Sequence, residues 1–290
     1  MNSLFKLWHI SLSSLSIINV IIISYYSFFY KLSNDNIHKY LIIFSFIYSI
    51  ACSFRAIWLK KPVQQLCLNN NFFSSPFIGR TLATIAELSF ATQIITFIKF
   101  ITKEIYTQNK KQNPTFSYLN YLVPSIFLAQ FFCWLACITK FHLWNAVEES
   151  IWTIFAIVLL YHIYILYPLL QNTKSNKKIA YIYSLLKKII PFIITYIIFM
   201  IKIDIPTYIN RWKQSDLNND GNVTFSEFIK DFLKKHSNLS SKLFNLFKCK
   251  IISTNYSDWK DSISFFSGYF TIAVWASIYI PIWYKNYKLL

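Results

Sequence analysis

Seven stretches of this chain are apolar over lengths that a soluble core rarely needs: about 7–30, 40–59, 80–101, 118–138, 148–170, 188–205 and 263–284. A helix needs about 20 mostly apolar residues to cross the hydrocarbon core of a bilayer. Within lipid it is one of the two structures that satisfy their own backbone hydrogen bonds. The expected fold is therefore all-α, a polytopic membrane bundle of seven transmembrane helices. Short connections imply that consecutive helices run antiparallel. The first run exceeds the ~7–15 apolar residues of a cleaved signal peptide and reads as a retained span. Three parts follow: residues 1–205 with six spans, an extramembrane segment 206–260, and 261–290 with the last span and a short tail.

Composition agrees with a lipid solvent. The chain is 55% hydrophobic and 14% charged, against roughly 25% charged in soluble domains. Its formal net charge is +17, a balance that elsewhere suggests nucleic acid. Here the lysines stand mainly at the ends of apolar runs, where they meet phospholipid headgroups, and no zinc-finger or RNA-binding signature is present. The expected partner is a bilayer and not nucleic acid. Abundant Ile, Phe, Tyr, Asn and Lys point to an AT-rich coding genome such as a protist's or a large DNA virus's; in a virus the membrane would be the host's. Against that background the three glycines, Gly79, Gly221 and Gly268, carry more meaning than usual. Cys133 and Cys137 lie one helical turn apart inside a span and suit packing. The other cysteines, Cys52, Cys67 and Cys249, form no zinc pattern and do not indicate a redox compartment. Trp8, Trp58, Tyr118, Trp144, Trp259 and Trp283 flank the runs as interfacial anchors would. Small residues at Ser264, Gly268, Ala273 and Ser277 would let the last helix approach a neighbour closely.

One connection stands apart. From Asp216 the chain reads Asp216-Leu217-Asn218-Asn219-Asp220-Gly221-Asn222-Val223-Thr224-Phe225-Ser226-Glu227. Calcium takes about 6–8 oxygen ligands. Asp216, Asn218 and Asp220 offer side-chain oxygens at positions one, three and five, and Gly221 stands where a sharp turn is needed. This segment resembles the EF-hand family over all twelve loop positions. The resemblance implies a Ca2+ site in which Asn222 gives its backbone carbonyl, Thr224 acts directly or through water, and Glu227 closes the shell with both carboxylate oxygens. Val223 fits the short β-contact of paired loops. No second loop is present in the chain, so a partner hand would come from another subunit. Tyr208 and Trp212 lie four apart on an entering helix that Pro206 can start, and Phe228 and Phe232 lie four apart on an exiting one. Ser215 departs from the family pattern, which favours a large apolar residue there. With three carboxylates, the site is not expected at the tight end of the ~10⁻⁹–10⁻³ M range of such loops. Residues 228–250 continue as a basic amphipathic stretch suited to a membrane surface or a partner.

Ionisable residues inside spans are costly and usually functional. Arg80 and Glu87 share one face of the third helix, and Arg55 near the end of the second could reach the same layer. Glu148 and Glu149 open the fifth span, where the helix dipole favours carboxylates. These five form a candidate intramembrane polar site. His162 reads as a packing histidine. No phosphate-binding loop, dinucleotide fingerprint or metalloprotease motif occurs. The leading expectation is a calcium-binding membrane protein whose loop regulates or stabilises a channel, transporter or signalling bundle. An intramembrane, lipid-modifying enzyme and a structural protein with a calcium-stabilised loop are the alternatives. Lysines of the short connections near 31–39, 102–117 and 171–187 place those on the cytosolic side, hence the loop outside, but counting the lysines of 206–260 reverses the tally.

Overall fold

The computed structural model describes residues 3–29, 35–112, 114, 116–172, 176–216 and 225–290. Among these, seven helices are long and apolar enough to cross a membrane: Ser3–Phe29, Asn36–Ile57, Pro76–Gln108, Tyr118–Thr139, Leu143–Gln171, Lys177–Gln214 and Lys260–Leu289. The fold is an all-α helical bundle of the multi-pass kind. The helices are α1 (Ser3–Phe29), α2 (Asn36–Ile57), α3 (Pro76–Gln108), α4 (Tyr118–Thr139), α5 (Leu143–Asn172), α6 (Lys177–Phe199), α7 (Ile205–Asp216), α8 (Phe225–His236), α9 (Leu239–Phe244), α10 (Ile263–Gly268) and α11 (Val274–Leu289).

Local chemistry sets several of these ends. Asp35 caps α2, its carboxylate accepting the backbone N–H groups of Ile37 and His38 at 3.0 and 3.2 Å. α4 stops where Lys140 adopts a left-handed conformation, as helix C-termini commonly do. Two spans contain π-helical turns, Met200–Asp204 and Tyr269–Ala273. The first lies just before the expected boundary at 205. Pro206 does not start a new helix; the sixth span runs continuously to Gln214. A proline inside a helix lacks its N–H and crowds the carbonyl four residues back, here that of Lys202, and the widened turn just before it gives that carbonyl room.

The chain divides into two compact units, residues 1–99 with 246–290, and residues 100–245. In the first unit, α1 packs on α2 and α2 on α11. Gln93, fully buried on α3, ties three helices. Its amide nitrogen donates to the carbonyls of Leu41 and Ser277 at 3.0 and 2.9 Å, and its oxygen accepts the Ser277 hydroxyl at 2.6 Å. Over one end of these helices lies a small three-stranded sheet. β1 (Lys60–Lys61) pairs antiparallel with β2 (Leu66–Cys67), which pairs in parallel with β3 (Ile251–Ile252). A Cys67–Cys249 disulfide joins the same segments. Trp259 is fully buried against Phe5, its indole N–H donating to the Ser253 carbonyl at 3.0 Å.

Several expectations change here. Within the segment 206–260, the disulfide and the β2–β3 pairing hold residues from 246 onward to the first unit, and residues up to 245 fall in the second. Trp259 and Trp283 are core residues and not interfacial anchors. An added Cβ at Gly268 would meet nothing within 4 Å, so no described residue uses that glycine for close approach. Cys133 and Cys137 are free and buried, as packing residues should be.

In the second unit, α4 and α5 form a hairpin, and α5 packs on α6 and α7. His162 is fully buried, with both ring nitrogens hydrogen-bonded, to the Thr102 hydroxyl at 2.8 Å and the Tyr118 hydroxyl at 2.6 Å. That is the packing role expected of it.

Candidate functional site

Of the six residues expected to bind calcium, Asn218, Asp220, Asn222 and Thr224 lie outside the described residues, with Gly221 and Val223. Asp216 is the last residue of α7, and Glu227 is exposed in the first turn of α8. Helix therefore stands on both sides of 217–224. Among the described residues, no group of three or more His, Cys, Asp or Glu side chains is arranged to hold a metal.

What holds these two helices is an aromatic cluster seated on the α4–α5 hairpin. The left-handed Lys140 turns the chain so that Phe141 points inward, where it is 2% exposed. Phe141 meets Trp212 of α7 at 6.3 Å between ring centroids, and Phe228 and Phe232 of α8 at 6.1 and 5.9 Å. Trp212 and Phe228 meet each other edge-on at 5.9 Å. His236 closes the cluster, stacked on Phe232 at 4.0 Å. The Trp144 indole N–H donates to His236 Nε2 at 2.8 Å, and Nδ1 lies 2.7 Å from the Phe232 carbonyl. An acceptor at Nε2 and a donor at Nδ1 define a neutral ring with its proton on Nδ1. Lys235 pairs with Asp231 at 3.6 Å and lies over the Phe141 ring. The expected amphipathic stretch 228–250 is thus not one uniform helix. α8 docks by its aromatic side, a left-handed Asn238 breaks the helix, and α9 follows.

The candidate intramembrane residues fall into two groups, one in each unit. In the first, Arg80 and Glu87 are buried and lie 3.6 Å apart, a bridge across two turns of α3. Tyr269, in the π-helical turn of the last span, donates its hydroxyl to Glu87 at 3.3 Å. The Arg55 guanidinium lies 4.9 Å above the Tyr269 ring and 5.5 Å from that of Phe270, a cation–π arrangement. Arg55 thus meets the Arg80–Glu87 pair by way of Tyr269, a residue with no signal in the sequence. Its Nη1 is buried and meets no hydrogen-bond acceptor among the described residues. Two guanidiniums face one carboxylate.

Lys60 adjoins this group from β1. It is 5% exposed, its ammonium donating to the Phe73 carbonyl and lying 5.5 Å from the Phe54 ring. Burial first, and the charge of Arg55 second, pull its pKa down to about 7. Lys61 beside it donates to the Asp258 carbonyl at 2.6 Å and pairs with Asp261.

In the second unit, α5 starts at Leu143, which puts Glu148 and Glu149 in its second turn and not its first. The dipole effect fades within one turn, so it does not account for them. They face α7 instead: both carboxylates and Asp204 bear electrostatically on the Tyr208 hydroxyl, with Arg211 opposing them. Asp204 Oδ2 and Asn145 Oδ1 are buried without a hydrogen-bond donor among the described residues.

Comparison with protein-family models, with curated proteins and with solved structures finds no match. The class that the fold defines is a multi-pass helical bundle, and any narrower function rests on the chain's own chemistry.

Proposed function

We propose that this is a calcium-binding multi-pass membrane protein in which the loop 216–227, between the sixth and seventh spans, regulates or stabilises the bundle. The observation that carries it is the order of ligand types in that loop, Asp216, Asn218, Asp220, Gly221 and Glu227, bounded by two helices. The Trp212–Phe228 contact supports the reading. Helices held together on either side of the loop would preorganise it, and preorganisation lowers the cost of binding. A second hand from another subunit would complete the usual pair.

The test is calcium titration of the purified protein by calorimetry, alongside Glu227→Gln. Removing the bidentate carboxylate should weaken binding by about 10- to 100-fold, the equivalent of losing a charged contact of roughly 1.5–3 kcal/mol. Equal affinity in the two proteins removes the loop from consideration.

A second reading is favoured by Arg55. A guanidinium in excess over nearby carboxylate, with a buried nitrogen that meets no acceptor among the described residues, suits an anionic substrate or ion within the membrane. Under this reading Arg55, Arg80 and Glu87 carry lipid chemistry or ion passage. Glu87→Gln should then abolish turnover or flux in liposomes while calcium binding persists.

A further inference from the structure

The disulfide bears on which side of the membrane the loop faces. Cys67 belongs to the connection after the second span and Cys249 to the connection after the sixth. The bridge closes a separation of 182 residues at a Cα–Cα distance of 5.9 Å, within the range that disulfides adopt. It is supported by the backbone, since Leu66 and Cys67 pair with Ile251 and Ile252 immediately beyond Cys249. Disulfides persist in oxidising compartments and are rare where glutathione keeps thiols reduced. The other three cysteines, all within spans, are free.

Charge in the short connections leans the same way. The connections on the opposite side carry Lys31, Lys110, Lys111 and Lys174 in short segments, the pattern of cytosolic loops. On the disulfide's side, some of the lysines are engaged within the folded chain. Lys60 and Lys61, which form β1 of the small sheet, are buried. Lys242 donates to the carbonyls of Lys234 and Lys235 at 3.2 and 2.8 Å.

We propose that the second and sixth connections face away from the cytosol, and that Asn238 is an N-glycan acceptor on that side. Asn238-Leu239-Ser240 is an acceptor triplet. Asn238 sits at the exposed left-handed turn between α8 and α9, where its side chain caps nothing, and Ser240 is exposed as well. Asn255-Tyr256-Ser257 is a second triplet, but it lies five residues before the last span begins at Lys260, close against the membrane. One consequence rests on the calcium reading above: the loop 216–227 then meets extracytosolic calcium, at concentrations matching the ~10⁻⁴–10⁻³ M affinities of extracellular modules.

The full chain is translated in the presence of microsomes and treated with an N-glycosidase. The expected result is a glycosidase-sensitive mass increase that Asn238→Gln abolishes. A second variant carries a longer acceptor peptide inserted at the 238 turn, and a third carries it between residues 172 and 176. Modification of the second and not the third upholds the sidedness even where Asn238 itself stays bare, an outcome that overturns the Asn238 assignment alone. Modification of the third and not the second overturns the proposal entirely. None of these readouts involves calcium, so the failure of calcium binding would leave the sidedness standing, and the reverse.

Discussion

Lys60 is the residue on which burial and charge conflict most openly. Its folded pKa of about 7 stands below the ordinary 10.5. Between those values the unfolded chain holds the proton and the folded chain does not, so stability should rise with pH across that window. Below about 7 the buried ammonium costs its full desolvation. Lys60→Met should raise the melting temperature at neutral pH and flatten its rise toward alkaline pH, both read from thermal unfolding in detergent. Gly79 makes room for this side chain: a Cβ there would stand 2.3 Å from Lys60 Cδ. Gly79→Ala must displace a buried stem and should cost about 1–3 kcal/mol, and in a Lys60→Ala background that cost should largely vanish. The scarcity of glycine signalled from the sequence that Gly79 has a task, but not which. Asp35 behaves oppositely. Burial works against its charge, yet the Tyr284 hydroxyl, the His38 amide and Lys288 outweigh it and hold its carboxyl below the usual value. Its contribution is present above the ordinary carboxylate pKa and lost as pH falls through the lowered one.

At the scale of elements, the helix pair around the loop depends on a hairpin nearly a hundred residues upstream. Trp212, Phe228 and Phe232 at four-residue spacing were legible in the sequence as the apolar sides of two helices. Their socket was not, because Phe141 lies at a turn and has no periodic signal. The same holds for Tyr269 under Arg55: helical spacing relates residues on one helix, as it did for Arg80 and Glu87, and is silent across helices. The π-helical turns were also invisible, since no residue type specifies them. Phe141 contacts both flanking helices at once, so its removal should act on both. Phe141→Ala should destabilise the second unit by about 3–5 kcal/mol, the usual cost of emptying a buried Phe site. Under the proposed function it should also weaken calcium binding, because the helix ends would no longer be held before the ion arrives. Parallel thermal unfolding and calcium titration separate the two effects. A loss of stability with unchanged affinity would mean that the cluster anchors the helices without preparing the loop.

For the whole molecule, seven apolar runs in the sequence became seven helices of spanning length, because runs of that length have no other way to satisfy their backbone in lipid. The division into parts was less legible, since it depends on long-range pairing: residues 246–260 join the first unit through a bond between Cys67 and Cys249 that spacing alone cannot propose. That bond makes a quantitative prediction. Removing a native disulfide typically costs about 2–5 kcal/mol, much of it through the freedom regained by the unfolded chain. Cys67→Ser, Cys249→Ser and the double variant each break the same single bond. Their losses should therefore be equal and not additive, as in any cycle whose two members act only through each other. Reductant should bring the natural protein down to the same melting temperature and leave all three variants where they were. Losses that add, or a natural protein indifferent to reductant, would mean that the two cysteines act separately, and the assignment of the second and sixth connections to an oxidising compartment would lose its support.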